Sequence, residues 1–251
     1  MKLAELVAWL DETLRIREIA DFPGACNGLQ VENRSGEVVR LAAAVDACEA
    51  VIARAAALGA NLLLVHHGLL WGGPRPWTGA TFRKLRVCVE HDLAIYSAHL
   101  PLDVHPEFGN NAVLARLLGM PPARPFLEFN GTPLGLVADW SIPLEELIAR
   151  VEVVLGHRPH VCPGGPGITR CVAVITGGAG DDVARVAAAG VDTFLTGEGR
   201  HPSFTAAEEL GVNLLYGGHY ATEIFGVRAL SDEIARQFSL PWEFIDHPTG
   251  L

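Results

Sequence analysis

The eight residues NLLLVHHG at positions 61–68 decide how this chain is read. Leu62, Leu63, Leu64 and Val65 form an apolar run too short for a buried helix, which is the form of a strand covered on both faces. His66 and His67 end the run, and Gly68 follows. Neighbouring side chains on a strand point to opposite faces. At a strand end, with a glycine next, the backbone can turn both rings into one cleft. A single histidine there is usually a satisfied core residue. Two together, with no acid close in sequence, are costly to bury unless they bind something. Adjacent imidazoles suit two metal ions lying side by side.

Working outward, the same kind of unit recurs. Residues 41–45 form a short apolar strand, 47–58 an alanine-rich helix ended by Gly59, 82–91 a helix and 93–97 a further strand. Before them, Leu3, Leu6, Val7, Leu10 and Leu14 mark an amphipathic first helix, and a loop runs from Pro23 through Asn27-Gly28-Leu29. The stretch MPPARP, 120–125, carries tandem prolines and is the best place for a boundary. Beyond it the plan repeats: strand 171–175, a turn at Gly177-Gly178, helix 181–189, strand 191–195, helix 202–210, strand 212–216 and a last helix over 221–238. The expected fold is therefore α/β: two similar halves from an internal duplication, with mostly parallel sheets covered by helices and a metal site between the halves. The halves are expected at 1–122 and 123–251, with the final helix free to pack back on the first.

The duplication also aligns chemistry. The third strand of each half ends in a histidine followed four residues later by an acid, His99…Asp103 and His219…Glu223. The second strand of each ends in a polar cluster, His66-His67-Gly68 and Gly197-Glu198-Gly199-Arg200-His201. Open α/β sheets place their sites at such strand ends. His219 and Glu223 stand four apart near a helix start, so ring and carboxylate share a face; the alternative is helix capping, a job Thr222 could do. Pro101 is expected to force an extended loop that carries Asp103. A solvated acid is the commoner fate of such a residue. For His99, ligation and a supporting role beside the ligands are equally open. Together His66, His67, Asp103, His219 and Glu223 offer three imidazoles and two carboxylates. Such a nitrogen/oxygen set suits Zn, Mn, Fe or Co, and two ions could activate water as a nucleophile.

Bulk properties narrow the classes. The 251 residues are 49% apolar and 19% charged, which fits a folded globular protein. A net charge of -10 argues against nucleic acid as a partner. The five cysteines, Cys26, Cys48, Cys88, Cys162 and Cys171, are widely spaced with no CxxC pair, so free thiols in a reducing cytoplasm are expected. No segment reaches the ~18 apolar residues of a membrane span, and the N-terminus lacks the pattern of a signal peptide. There is no GxxxxGK[ST] phosphate loop; the glycine-rich run Pro163-Gly164-Gly165-Pro166-Gly167 has no lysine and is broken by prolines.

Several ordered motifs carry a resemblance over nearly the whole chain. They are Asn27-Gly28-Leu29-Gln30-Val31-Glu32, His66-His67-Gly68, Ser97-Ala98-His99-Leu100-Pro101-Leu102-Asp103, Asn110-Asn111, Thr196-Gly197-Glu198 and Gly218-His219-Tyr220-Ala221-Thr222-Glu223. The sequence resembles the Ngg-one-interacting-factor-three family, the YbgI-like proteins labelled GTP cyclohydrolase I type 2 homologues. The resemblance implies a two-metal site in which His66 and Asp103 hold one ion, His67 and His219 the other, and Glu223 bridges them. It also implies a homo-hexamer, a trimer of dimers. Glu198 and His201 are expected to line the pocket with His99. This chain has no room for the long insertion between halves that some relatives carry. Three functions compete: a metal-dependent hydrolase of a phosphoester or nucleotide-type small molecule, with Glu223 as the catalytic carboxylate; a metal-handling protein without turnover; and a ring that binds single-stranded nucleic acid.

Overall fold

The computed structural model describes residues 1–73 and 76–251. The chain divides into two compact units, one of residues 1–108 and 226–247, the other of 109–225 and 248–251.

The first unit is built on a five-stranded sheet. Its elements are α1 (Leu3–Thr13), β1 (Gly28–Val31), β2 (Leu41–Asp46), α2 (Glu49–Ala57), β3 (Leu62–His67), α3 (Gly79–Glu90), β4 (Ala94–Ser97) and the one-turn α4 (Leu100–Asp103). The strand order is β1-β4-β3-β2, closed at its far edge by a late strand, residues 242–244. Only β1 runs antiparallel to its neighbour. The two-residue period of the strands sorts the core into two faces. Leu41, Ala43, Leu62, Leu64, Ala94 and Tyr96 pack with Leu3, Leu6 and Leu10 of α1 and with Val227, Leu230 and Ile234. Ala42, Ala44, Leu63, Val65 and Ile95 pack with Val51, Ile52 and Ala55 of α2 and with Cys88 of α3. Burying a leucine such as Leu64 fully is worth about 1.5–3 kcal/mol, so an uninterrupted Leu-Leu-Leu-Val run pins this strand from both sides at once.

The second unit contains α5 (Asn110–Leu118), β5 (Arg124–Phe129), β6 (Thr132–Asp139), α6 (Leu144–Leu155), β7 (His160–Pro163), β8 (Cys171–Ile175), α7 (Val183–Ala188), β9 (Thr193–Thr196), α8 (Pro202–Leu210) and β10 (Asn213–Tyr216). Its sheet runs β5-β6-β8-β9-β10-β7. The strands β8, β9 and β10 are parallel, whereas β5, β6 and β7 pair antiparallel. Helix α9 (His219–Phe238) begins in this unit and continues into the first, followed by β11 (Trp242–Phe244). Both sheets are thus mixed, each with a parallel core where the sequence repeats strand, helix, strand, helix, strand. The antiparallel additions to the second sheet lie in residues 124–163, where the sequence offered only a boundary. Among the described residues no helix is long and apolar enough to cross a membrane.

Candidate metal centre

In the first unit the site grows from the C-terminal end of β3. His66 is fully buried and His67 half-buried, yet their rings approach to 4.7 Å between centroids. Both rings do come to one place, although β3 runs through His67 and no turn separates them. His99, just past β4, joins them at 4.9 Å from His66 and 5.5 Å from His67. One nitrogen from each of the three rings lies within 4.8 Å of the others. Asp103 is buried, with Oδ2 3.5 Å from His66 Nε2. It does not ride on an extended loop. Pro101 sits in the first turn of α4, where a helix needs no N–H from it, and that turn sets Asp103 next to the histidines.

Each ring is held from behind. His66 Nδ1 is 2.9 Å from the carbonyl oxygen of Ala98, His67 Nδ1 2.9 Å from Asp46 Oδ1, and His99 Nδ1 2.8 Å from Asp21 Oδ1. These oxygens accept, so the Nδ1 atoms donate and Nε2 is the nitrogen each ring can offer a metal. Burial pushes the Asp21 carboxyl up, but hydrogen bonds from His99, Asn27 and the Phe22 N–H outweigh it and hold the group below the usual carboxylate range. Asp21 is therefore ionised at neutral pH. The motif at 27–30 braces the same place. Asn27 accepts from the His99 backbone N–H at 2.8 Å and donates to Asp21 at 2.7 Å, while Gln30 accepts from Leu69 N–H at 2.7 Å.

In the second unit the site lies where α9 begins. His219 and Glu223 share a face of that helix, with His219 Nε2 3.2 Å from Glu223 Oε2. Glu223 is buried. Glu198, two residues past β9, accepts from His219 Nδ1 at 2.8 Å, the same support from behind as in the first unit. Burial tends to lower the His219 pKa, yet Glu223 and Glu198 overcome that and raise it to about 9. Without a cation the ring carries its proton between two carboxylates, and a metal taking Nε2 must displace that proton. Gly177 has φ +72°, and a Cβ there would collide with Glu223 Oε1; the segment just after β8 can lie this close to the carboxylate only because that position lacks a side chain. Thr222 does not cap the helix by accepting its N–H groups. It accepts from Gly177 N–H at 3.1 Å and donates back toward Gly218 and His219 carbonyls. Buried Asn111 ties α5 to the sheet through Leu134 O at 3.0 Å and Thr176 N–H at 2.9 Å, one residue before Gly177.

The expected residues therefore fall into two sets, His66, His67, His99 and Asp103 in one unit and His219, Glu223 and Glu198 in the other. Glu198 orients His219 through its hydrogen bond to Nδ1. His201 stands exposed before α8, with no hydrogen bond or ion pair to His219 or Glu223 among the described residues. The sequence reading missed Asp21 and Asp46. Asp46 was within reach, since it ends β2 and pairs in register with His67. Mixed imidazole and carboxylate donors, with every Nδ1 engaged by oxygen, fit a divalent transition metal. These histidine and glutamate groups could hold a metal ion. The thiols take no part: Cys88 and Cys162 are buried, and burial pushes both up to about 11.

The chain is similar to known proteins over its whole length. Residues 1–249 match the model of the family Duf34/NIF3 (NGG1p interacting factor 3). A Deinococcus radiodurans protein named GTP cyclohydrolase 1 type 2 homolog is 43% identical over 250 residues, covering 98% of this chain and 94% of that one. The crystal structure of TTHA1606 from Thermus thermophilus superposes with a TM-score of 0.91 at 40% identity, covering both chains fully. The structure of protein ybgI, described as of unknown function, gives 0.90 at 37% identity, again over all of both chains.

Proposed function

This chain belongs to the Duf34/NIF3 family, and from that and its two ligand sets we propose that it is a dinuclear metal protein acting as a hydrolase. The ligands are His66, His67 and Asp103 from the first unit and His219 and Glu223 from the second, with His99 beside them. The observation that carries the reading is the common support of the rings: His66, His67, His99 and His219 each have Nδ1 held by an oxygen. Histidines that merely fill a core have no reason to present the same nitrogen four times; ligands do.

When bound, the ions supply Lewis acidity and make water a competent nucleophile at neutral pH. The chain's own groups do the rest. Asp46, Asp21 and Glu198 lock ring orientation and tautomer, and Ala98 O does so for His66. Asp103 in the first unit and Glu223 in the second are each buried and would bring negative charge to offset divalent cations. The name shared by the relatives points to a nucleotide-type substrate, and a phosphoester is the other class such a centre would cleave. Metal analysis followed by a screen of nucleotides and phosphoesters tests this on one sample. Metal-dependent turnover that a chelator abolishes is expected. Full metal occupancy with no turnover across the screen would instead make this a metal-handling protein.

A further inference from the structure

We infer that Trp71 and Phe22 form a stacking platform for a planar heteroaromatic ring of the nucleobase class, set against the histidines of the first unit. The inference rests on the proposed metal centre as its neighbour and selects one of that centre's two substrate classes. Single apolar side chains on a surface are ordinary. These two converge. Each leaves 40% of its surface exposed. Trp71 lies edge-on to both His99 and His67, with centroids at 4.7 and 5.3 Å and interplanar angles of 77° and 69°. Phe22 lies 5.9 Å from His99. The exposed aromatic surface therefore abuts the rings that present Nε2.

The platform is also preorganised. Gln30 Oε1 accepts from the Leu69 and Leu70 N–H groups at 2.7 and 3.4 Å, fixing the entry to the Trp71 turn. The Gly72 N–H donates to the Gly24 carbonyl at 3.2 Å, joining that turn to the one carrying Phe22. Gly24 has φ +94°, and a Cβ there would come within 3.0 Å of the Gly72 backbone, so the two turns meet this closely only with glycine present. Phe22 follows Asp21, whose carboxylate accepts from both the Phe22 N–H and His99 Nδ1. One carboxylate thus sets the platform and a metal-facing ring together. A rigid indole face costs little entropy to bind against. Its natural partner is another flat π-surface, since base–aromatic stacking is sequence-tolerant and substantial. A ring on that face would have its polar edge beside the imidazoles, whereas a phosphomonoester would gain nothing from an indole.

The test measures binding by calorimetry on metal-loaded protein, with guanosine and adenosine as ring probes and ribose 5-phosphate as the sugar–phosphate probe. Metal content is recorded for every sample. The nucleosides are expected to bind, with affinity falling about tenfold or more in Trp71→Ala and largely recovered in Trp71→Phe. Phe22→Ala is expected to be weaker in effect but in the same direction. Ribose 5-phosphate is expected to bind equally to all variants. Nucleoside affinity unchanged in Trp71→Ala at full metal content would overturn the inference, as would no nucleoside binding to the unaltered protein. Failure of the protein to hold metal would sink the metal centre instead, and the nucleoside comparison would still decide the platform.

Discussion

At the residue scale the decisive feature is which nitrogen each histidine presents. Asp46→Asn keeps size and shape but replaces an acceptor carboxylate with an amide that can rotate to donate. With His67 less firmly held, metal affinity is expected to fall about 10–100-fold with little change in fold, read by competition with a chromophoric chelator. Unchanged affinity would remove Asp46 from the supporting role. Glu223→Gln is more severe, since it deletes a buried charge beside His219. It is expected to lose about one metal equivalent and nearly all turnover while circular dichroism stays unaltered. The cysteines supply a check on the description of the core. At pH 8 the Cys88 and Cys162 thiols, raised to about 11 by burial, stay protonated and enclosed, so alkylation is expected at exposed Cys26 long before either. Peptide mapping showing Cys88 modified first would contradict the burial assigned to α3.

At the scale of elements, what sequence could show depended on periodicity. Leu62 to Val65 and Cys171 to Ile175 declare themselves as strands because both of their faces are buried. Leu64→Ala is expected to destabilise the protein by about 2–5 kcal/mol in denaturant; a loss below 1 kcal/mol would mean this strand is not central. The antiparallel pair β5 and β6 was illegible for the opposite reason. β5 is an edge strand that tolerates Pro125, so the prolines that looked like a boundary stand at and just before a strand. The proposed ligands could be singled out because they stand at the end of β3, 66–67, and at the start of α9, 219–223. Their supports were not, since Asp21 meets His99 across 78 positions and only the folded register brings them together. Likewise, the Thr222 hydroxyl's partner, Gly177 N–H, lies 45 residues earlier. Asp103 stands 3.5 Å from His66, set there by a helical turn rather than the loop expected from Pro101.

At the scale of the whole molecule, the family relationship leads us to propose a closed hexamer, a common kind of symmetric assembly. Light scattering is expected to give about six times the 26.8 kDa chain mass; a monomer at micromolar concentration would rule the ring out. Metal content is the property on which the proposed function turns, and elemental analysis of gently purified protein reads it. About two equivalents of a divalent transition metal per chain are expected, falling toward one in Glu223→Gln. A value that stays near zero after Zn, Mn and Fe have each been offered would contradict the proposal.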